Sequence, residues 1–307
     1  MIATACQSET LTTSVAVSGK LGEFLQGVDH EGNPFLYTAT VTSPKSGTSA
    51  QVLPSPIFRV IVGNKTANYG FPPNTQKTER AIRSLLERKQ IERPWDFEVR
   101  LVESPPSAKG LGASSSDMAA SLLATARYLQ LEVTEQELFS LMCSIERSDY
   151  LFLPDRLVCA NPLSSEFSIK GNVPPLCLVA WDTEPNRMIS TEEVAYLDHL
   201  RKAHASEYVE LALDCDSGES YALLAASTRS AQINQKFLPK PSFNWALKVA
   251  KQNQAELVVA HSGTFMAFAV SRDTCDVDRL SYLQAILISN GLTPISFQTG
   301  AVSCCGI

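Results

Sequence analysis

Residues Ser104–Ser121 read SPPSAKGLGASSSDMAAS. The segment just before them, 96–102, alternates Phe97, Val99 and Leu101 against Glu98 and Arg100, the period of a strand. After the serines, Met118, Leu122, Ala126 and Leu129 recur at helical spacing and make one buried face, and Ala119, Ala120 and Ala124 admit a close neighbour. Strand, short glycine-bearing loop and helix is the context a phosphate-binding loop needs. A helix N-terminus carries unpaired N–H groups and about half a positive charge. Gly110 and Gly112 let the backbone approach a ligand. Ser114, Ser115 and Ser116 fall in the first turn, where a hydroxyl reaches a phosphate oxygen or a magnesium ion. Lys109 adds a point charge. The lysine precedes the glycines, so this is not the G-x-x-x-x-G-K-[ST] loop. On residue types alone, a serine-capped helix after a tight turn is the favoured reading, ahead of the phosphate cradle.

The rest of the chain places this loop in a mixed fold. With 307 residues, 44% hydrophobic and 19% charged, it has the size of about two domains. Strands are predicted at 14–17, 35–42, 57–62, 176–181, 257–260, 266–270 and 295–298. Helices are predicted at 78–89, 191–202, 208–213, 219–235, 243–254 and 280–290, the last closed by Gly291. Another opens with TEQE, a capping box from Thr134 to Glu137, and ends near Glu146. Strands and helices mix without regular alternation, so the expected class is α+β. The expected division is 1–165 and 166–307.

Composition excludes several functions. A net charge of −6 offers no general attraction to nucleic acid or an anionic membrane. No apolar stretch is long enough to span a bilayer. The first residues, MIATACQSETLTTSVAVSG, lack the basic and apolar segments of a secretory signal, so a cytoplasmic location is expected. Eight cysteines are scattered without a C-x-x-C pair, which argues against a disulfide framework or a zinc site.

The full string Pro106-x-x-x-Gly110-Leu111-Gly112-Ala113-Ser114-Ser115 closely resembles the ATP-phosphate motif of the GHMP kinases. Two further segments fit that superfamily in order. GKLGEFLQG (Gly19–Gly27) resembles its first motif, where the substrate site begins, and AHSGTFMAF (Ala260–Phe268) its third. Within the superfamily, AKGLGASSSDMAA, SIERSDYLF (Ser144–Phe152) and GEFLQG are similar to strings of the L-threonine kinases of cobalamin assembly. Leu21 stands where that branch commonly has Cys, Arg147-Ser148 where it has Pro-Thr, and Tyr150 where it has Ser or Thr. Those changes fall close to the expected substrate pocket.

The resemblance implies a two-domain GHMP kinase fold, with a ribosomal-S5-like N-terminal half and a ferredoxin-like C-terminal half. It implies ATP and Mg²⁺ as cofactors, with Pro106 and Lys109 to Ser116 around the nucleotide. It implies Ser114 and Glu146 as magnesium ligands. Asp149 is expected to bind the substrate ammonium or take the hydroxyl proton, with Lys109 beside it in catalysis. Glu23, Gln26, Ser262, Gly263 and Thr264 are expected near a small hydroxylated amino acid. L-Threonine is the preferred acceptor, with homoserine or serine as alternatives. A non-catalytic regulatory protein on the same fold is the other reading.

Overall fold

The computed structural model describes residues 12–43, 46–63, 75–189, 194, 196–274 and 277–300. In chain order come β1 (Thr13–Val17), β2 (Leu25–Val28), β3 (Pro34–Thr38), β4 (Thr48–Pro54), β5 (Arg59–Val62), α1 (Thr75–Arg88), β6 (Phe97–Glu103), α2 (Ala113–Tyr128) and α3 (Glu135–Ile145). Then follow β7 (Arg156–Asn161), β8 (Glu166–Asn172), β9 (Leu176–Asp182), α4 (Asp198–Arg201), α5 (Ala205–Asp216), α6 (Ser220–Asn234), α7 (Phe243–Gln252), β10 (Glu256–Val259), β11 (Phe265–Ser271), α8 (Val277–Ser289) and β12 (Ile295–Gln298). The order mixes helices and strands as an α+β chain does.

The strand-loop-helix unit is β6 and α2. The predicted face of α2, Met118, Leu122 and Ala126, is buried, and Ala119, Ala120 and Ala124 are fully enclosed. Small residues on the other faces let the helix sit in the interior, packed on β1, β4, α1 and α3. The capping reading holds at α3, where the Thr134 side chain accepts the Glu137 N–H at 3.1 Å. Gly291 follows α8 with φ of 73°, the left-handed geometry that glycine adopts freely.

Three four-stranded sheets carry the chain: β1-β4-β6-β5, β2-β3-β7-β8 and β10-β11-β9-β12. The third, with α8 between β11 and β12, has the split βαβ order of a ferredoxin-like half. Single bridges join the sheets, Glu23 with Val259 and Thr42 with Gln298. A division at 165 would cut the turn of hairpin β7–β8, whose strands pair from Arg156↔Asn172 to Asn161↔Glu166. The helix predicted at 191–202 falls partly outside the described residues, and its described part is the short α4 followed by a 3₁₀ turn.

Asp117 faces inward from α2, 1% exposed, and its carboxylate accepts the Thr48 hydroxyl at 2.5 Å. Burial pushes it up to about 7, against the pull of hydrogen bonds from Thr48 and Ser104. A pKa raised by folding gives stability that is present below the unfolded pKa and lost as pH rises through the folded one. Asp117→Asn has nothing to ionise. The variant is therefore expected to gain on the wild type by about 2 kcal/mol between pH 5 and 7, then level off. Denaturant unfolding at a series of pH values checks this, and a difference that does not vary with pH contradicts it.

Candidate active site

All three glycine-bearing segments meet at one cleft. Its walls include Ala108, Gly110 and Gly112 of the loop, Ala113 to Ser115 of α2, Lys20, Glu23 and Gln26 from the first segment, and Ser262 from the third. Glu146, Arg147 and Asp149, just past α3, complete it, with Leu36 and Ile189 as aliphatic wall. The segments are held backbone to backbone. Lys20 N donates to Leu111 O at 3.2 Å and Gly22 N to Gly110 O at 3.0 Å. Thr264 N and Phe265 N donate to Lys109 O at 3.1 and 3.2 Å. Gly110, with φ of 88°, sits so close to Ala260 that a Cβ there would overlap it. Gly263 in turn lies against the Lys109–Gly110 peptide.

The start of α2 favours the cradle over the cap. Its N-cap is Gly112, in left-handed geometry, and no side chain caps it. The first N–H groups are left to whatever occupies the cleft, where the dipole favours an anion.

Opposite stands a buried charge network. Lys20 Nζ is 2.7 Å from Asp149 Oδ1 and also pairs with Glu23 Oε1. His261 N donates to Glu23 Oε2 at 2.7 Å; its ring Nδ1 lies 3.2 Å from the same oxygen and Nε2 2.9 Å from Ser230 Oγ. Burial works to raise both carboxylates, with different outcomes. In Glu23 the Lys20 charge and the His261 hydrogen bond outweigh it and hold the carboxyl well below the usual range. In Asp149 burial prevails over Lys20, helped by the Glu23 charge, and the carboxyl is raised. Burial opposes charge on Lys20 as well, but Asp149 and Glu23 more than restore it, so the ammonium persists. His261 is pushed down by burial. It is fully buried and positions Glu23 rather than facing the cleft.

Several expected residues point elsewhere. Lys109 does not reach the cleft: its ammonium lies 2.8 Å from Asp182 Oδ2, 2.8 Å from the Pro185 and Arg187 carbonyls and 3.0 Å from that of Glu184. It fastens the loop to the segment after β9. Helical periodicity carries Ser116 to the buried face, where its hydroxyl meets Thr48 Oγ1 at 2.9 Å and Ala113 O at 3.0 Å. Ser115 does line the cleft, and its Oγ accepts the Asp149 N–H at 3.0 Å, so that hydroxyl also serves the Asp149 backbone. The Leu111 side chain is core. Pro106 lines a separate apolar cavity of about 330 Å³ behind the loop. Gly263 and Thr264 brace the loop from behind, and of that trio Ser262 alone lines the cleft. Lys20 escaped the sequence reading although it lies inside the first motif. The available signal was a lone lysine between two glycines of that motif.

Ser114, half-buried at the helix start, and Glu146, whose side chain is 3% exposed, line the same cleft. Both offer hard oxygen, the donor type magnesium takes. Among the described residues no group of three or more His, Cys, Asp or Glu could hold a metal. A magnesium ion here would therefore need phosphate oxygens and water for the remainder, which is its habit. Glu146 closes α3 at the negative end of the helix dipole, and Lys77 Nζ pairs with its Oε2.

The GHMP kinases N terminal domain model matches residues 76–152, which span α1, the loop, α2 and Asp149. The chain is 30% identical over 224 residues to the L-threonine kinase of Salmonella typhimurium strain LT2, covering 68% of this chain and 73% of that one. It is 29% identical over 195 residues to the L-threonine kinase of Citrobacter freundii, covering 61% and 67%. The fold is similar to that of homoserine kinase from Cytophaga hutchinsonii, with a TM-score of 0.67 at 13% identity, covering 97% of each chain. Three glycine-bearing segments at one cleft, an uncapped helix start and these relatives agree: the chain belongs to the GHMP kinase family.

Proposed function

We propose that the chain transfers the γ-phosphoryl group of ATP to the side-chain hydroxyl of L-threonine, giving ADP and O-phospho-L-threonine for the aminopropanol linker of cobamides. One observation carries this reading: the uncapped start of α2 shares a cleft with the Lys20–Asp149 pair. The first offers N–H donors to phosphates. The second is suited to a hydroxyl that must lose its proton. The hydroxyl oxygen bonds to the γ-phosphorus as the bond to the β–γ bridging oxygen breaks, and ADP departs. Asp149, its carboxyl raised, takes the proton. Two carboxylates whose surroundings drive their pKa values apart divide the roles in this way, Glu23 staying charged to hold Lys20. Lys20 keeps the Asp149 oxygen in place and offers positive charge to the transferring group. Magnesium, when bound, would neutralise phosphate charge, and Ser114 and Glu146 are the residues that would hold it. Threonine as acceptor is supported by the relatives of that name.

Coupled ADP release over L-threonine, D-threonine, L-serine, L-homoserine and sugar alcohols tests the assignment. L-Threonine is expected to give the highest kcat/KM. ADP formation with homoserine or a sugar alcohol but none with L-threonine overturns the acceptor and leaves the kinase.

If Ser114 and Glu146 share one ion, Ser114→Ala and Glu146→Gln should each lower kcat/KM by about a hundredfold or more, and the double variant should lose little beyond either alone. Steady-state kinetics at varied magnesium checks this, and losses that multiply show that the two act separately.

A further inference from the structure

We infer that Arg147 is the specificity-determining residue of the cleft, the group that binds the carboxylate of the acceptor; this rests on the kinase reading above. Two polar atoms carry it. Arg147 lines the cleft, and its Nη2 is excluded from solvent with no hydrogen-bond partner among the described residues. Gln26, 5% exposed, lines the same cleft, and its Oε1 is likewise buried without a partner. A buried donor on a cation costs stability unless something accepts from it. An acceptor molecule bringing both an anion and a hydrogen-bond donor would satisfy both atoms, and an amino acid's carboxylate and ammonium are such a pair.

The guanidinium is built in rather than loose. Arg147 Nη1 pairs with Asp198 Oδ2, and Asp198 Oδ1 lies 2.7 Å from Nη1 of the fully buried Arg201. One carboxylate thus faces two guanidiniums, which leaves an excess of one positive charge beside the cleft. The other charged walls of the cleft are Glu23, Asp149 and Glu146, with Lys20 neutralising between the first two. Arg147 is therefore the cation on that wall whose partner is itself shared. A guanidinium matches a carboxylate through parallel N–H donors, and an ammonium on a flexible stem does not. The class of substrate that follows is a hydroxylated carboxylate bearing an amine, rather than an amino alcohol or a polyol.

The test compares L-threonine with (R)-1-amino-2-propanol, which is L-threonine without its carboxylate. The readout is the ratio of their kcat/KM values in wild type, Arg147→Lys and Arg147→Met. The wild type is expected to favour L-threonine by about a hundredfold, the scale of one charge-assisted contact. Arg147→Met is expected to bring the ratio near one, chiefly through KM for threonine, and Arg147→Lys to restore part of it. Because each ratio is internal to one protein, incomplete folding of a variant cancels. A ratio unchanged in both variants, with the two substrates losing rate in parallel, overturns the inference and gives Arg147 a structural role. If L-homoserine replaces L-threonine as the working acceptor, the threonine assignment fails alone, and the same ratio is read against 3-aminopropan-1-ol. Turnover confined to acceptors without a carboxylate overturns the inference while the kinase stands.

Discussion

Asp149→Asn is expected to lower kcat by about a thousandfold while leaving ATP affinity within a few-fold of wild type. Asparagine keeps the size of the side chain and the backbone N–H to Ser115 Oγ, so the loop after α3 keeps its place. It removes the carboxylate that pairs with Lys20 Nζ at 2.7 Å and cannot accept a proton. The pH profile separates the two roles that Asp149 could play. Burial raises its carboxyl above the ordinary aspartate value. The active form of a base is the deprotonated one, so wild-type kcat/KM should fall as pH drops through that raised pKa, and the fall should begin above the range of an exposed aspartate. The asparagine variant should lack that limb. A loss carried mainly by KM, with the acidic limb retained, would instead mean that Asp149 binds the ammonium and another group takes the proton. Single-turnover kinetics with nucleotide titration makes the distinction.

Gly263→Ala is expected to cost about 2–3 kcal/mol of stability and to weaken nucleotide binding by at least tenfold. A methyl group there would overlap the Lys109 carbonyl and the Gly110 nitrogen, and backbone atoms cannot swing aside as a side-chain tip can. The same contact keeps the third motif against the phosphate loop, through Thr264 N and Phe265 N on Lys109 O. Relief of the overlap must move one of them, and movement of the loop misdirects the N–H groups at the start of α2. Thermal unfolding and calorimetric nucleotide titration on the same preparation check both effects. Full nucleotide affinity in a destabilised variant would show that the loop holds its shape without the third motif.

The parts of the fold written in periodic residues were legible. The alternation of Phe97 to Leu101 gave β6, and the spacing of Met118, Leu122 and Ala126 gave α2. The strands that escaped are those whose residues carry other signals. β4 is TSAQVLP, with the polar Ser49 and Gln51 beside Leu53 on its half-buried side, and β2 is LQGV, short and interrupted by a glycine. β7 and β8 escaped together, and the expected division at 165 fell between them. Their burial alternates poorly because β8 is largely exposed.

At the site, the order of the three motifs was legible and the aim of individual side chains was not. Ser114, Ser115 and Ser116 are equivalent as letters. One turn of helix sends them to the cleft, to the Asp149 backbone and to Thr48 respectively. Lys109 reads as a phosphate ligand until Asp182 and three carbonyls take its ammonium. Lys20 carries only its place between two glycines of the first motif, and its partner Asp149 is 129 residues away. Long-range pairing of this kind is set by the sheets and by the bridge between Glu23 and Val259, which no local pattern encodes.

Phosphorus NMR of the products from ATP, magnesium and L-threonine tests most directly whether this cleft moves a phosphoryl group from ATP to the hydroxyl of a hydroxy amino acid. The predicted result is ADP together with a stoichiometric phosphomonoester on the side-chain oxygen, stable to hydroxylamine. ADP accompanied by inorganic phosphate alone, or by a hydroxylamine-sensitive acyl phosphate, would contradict it.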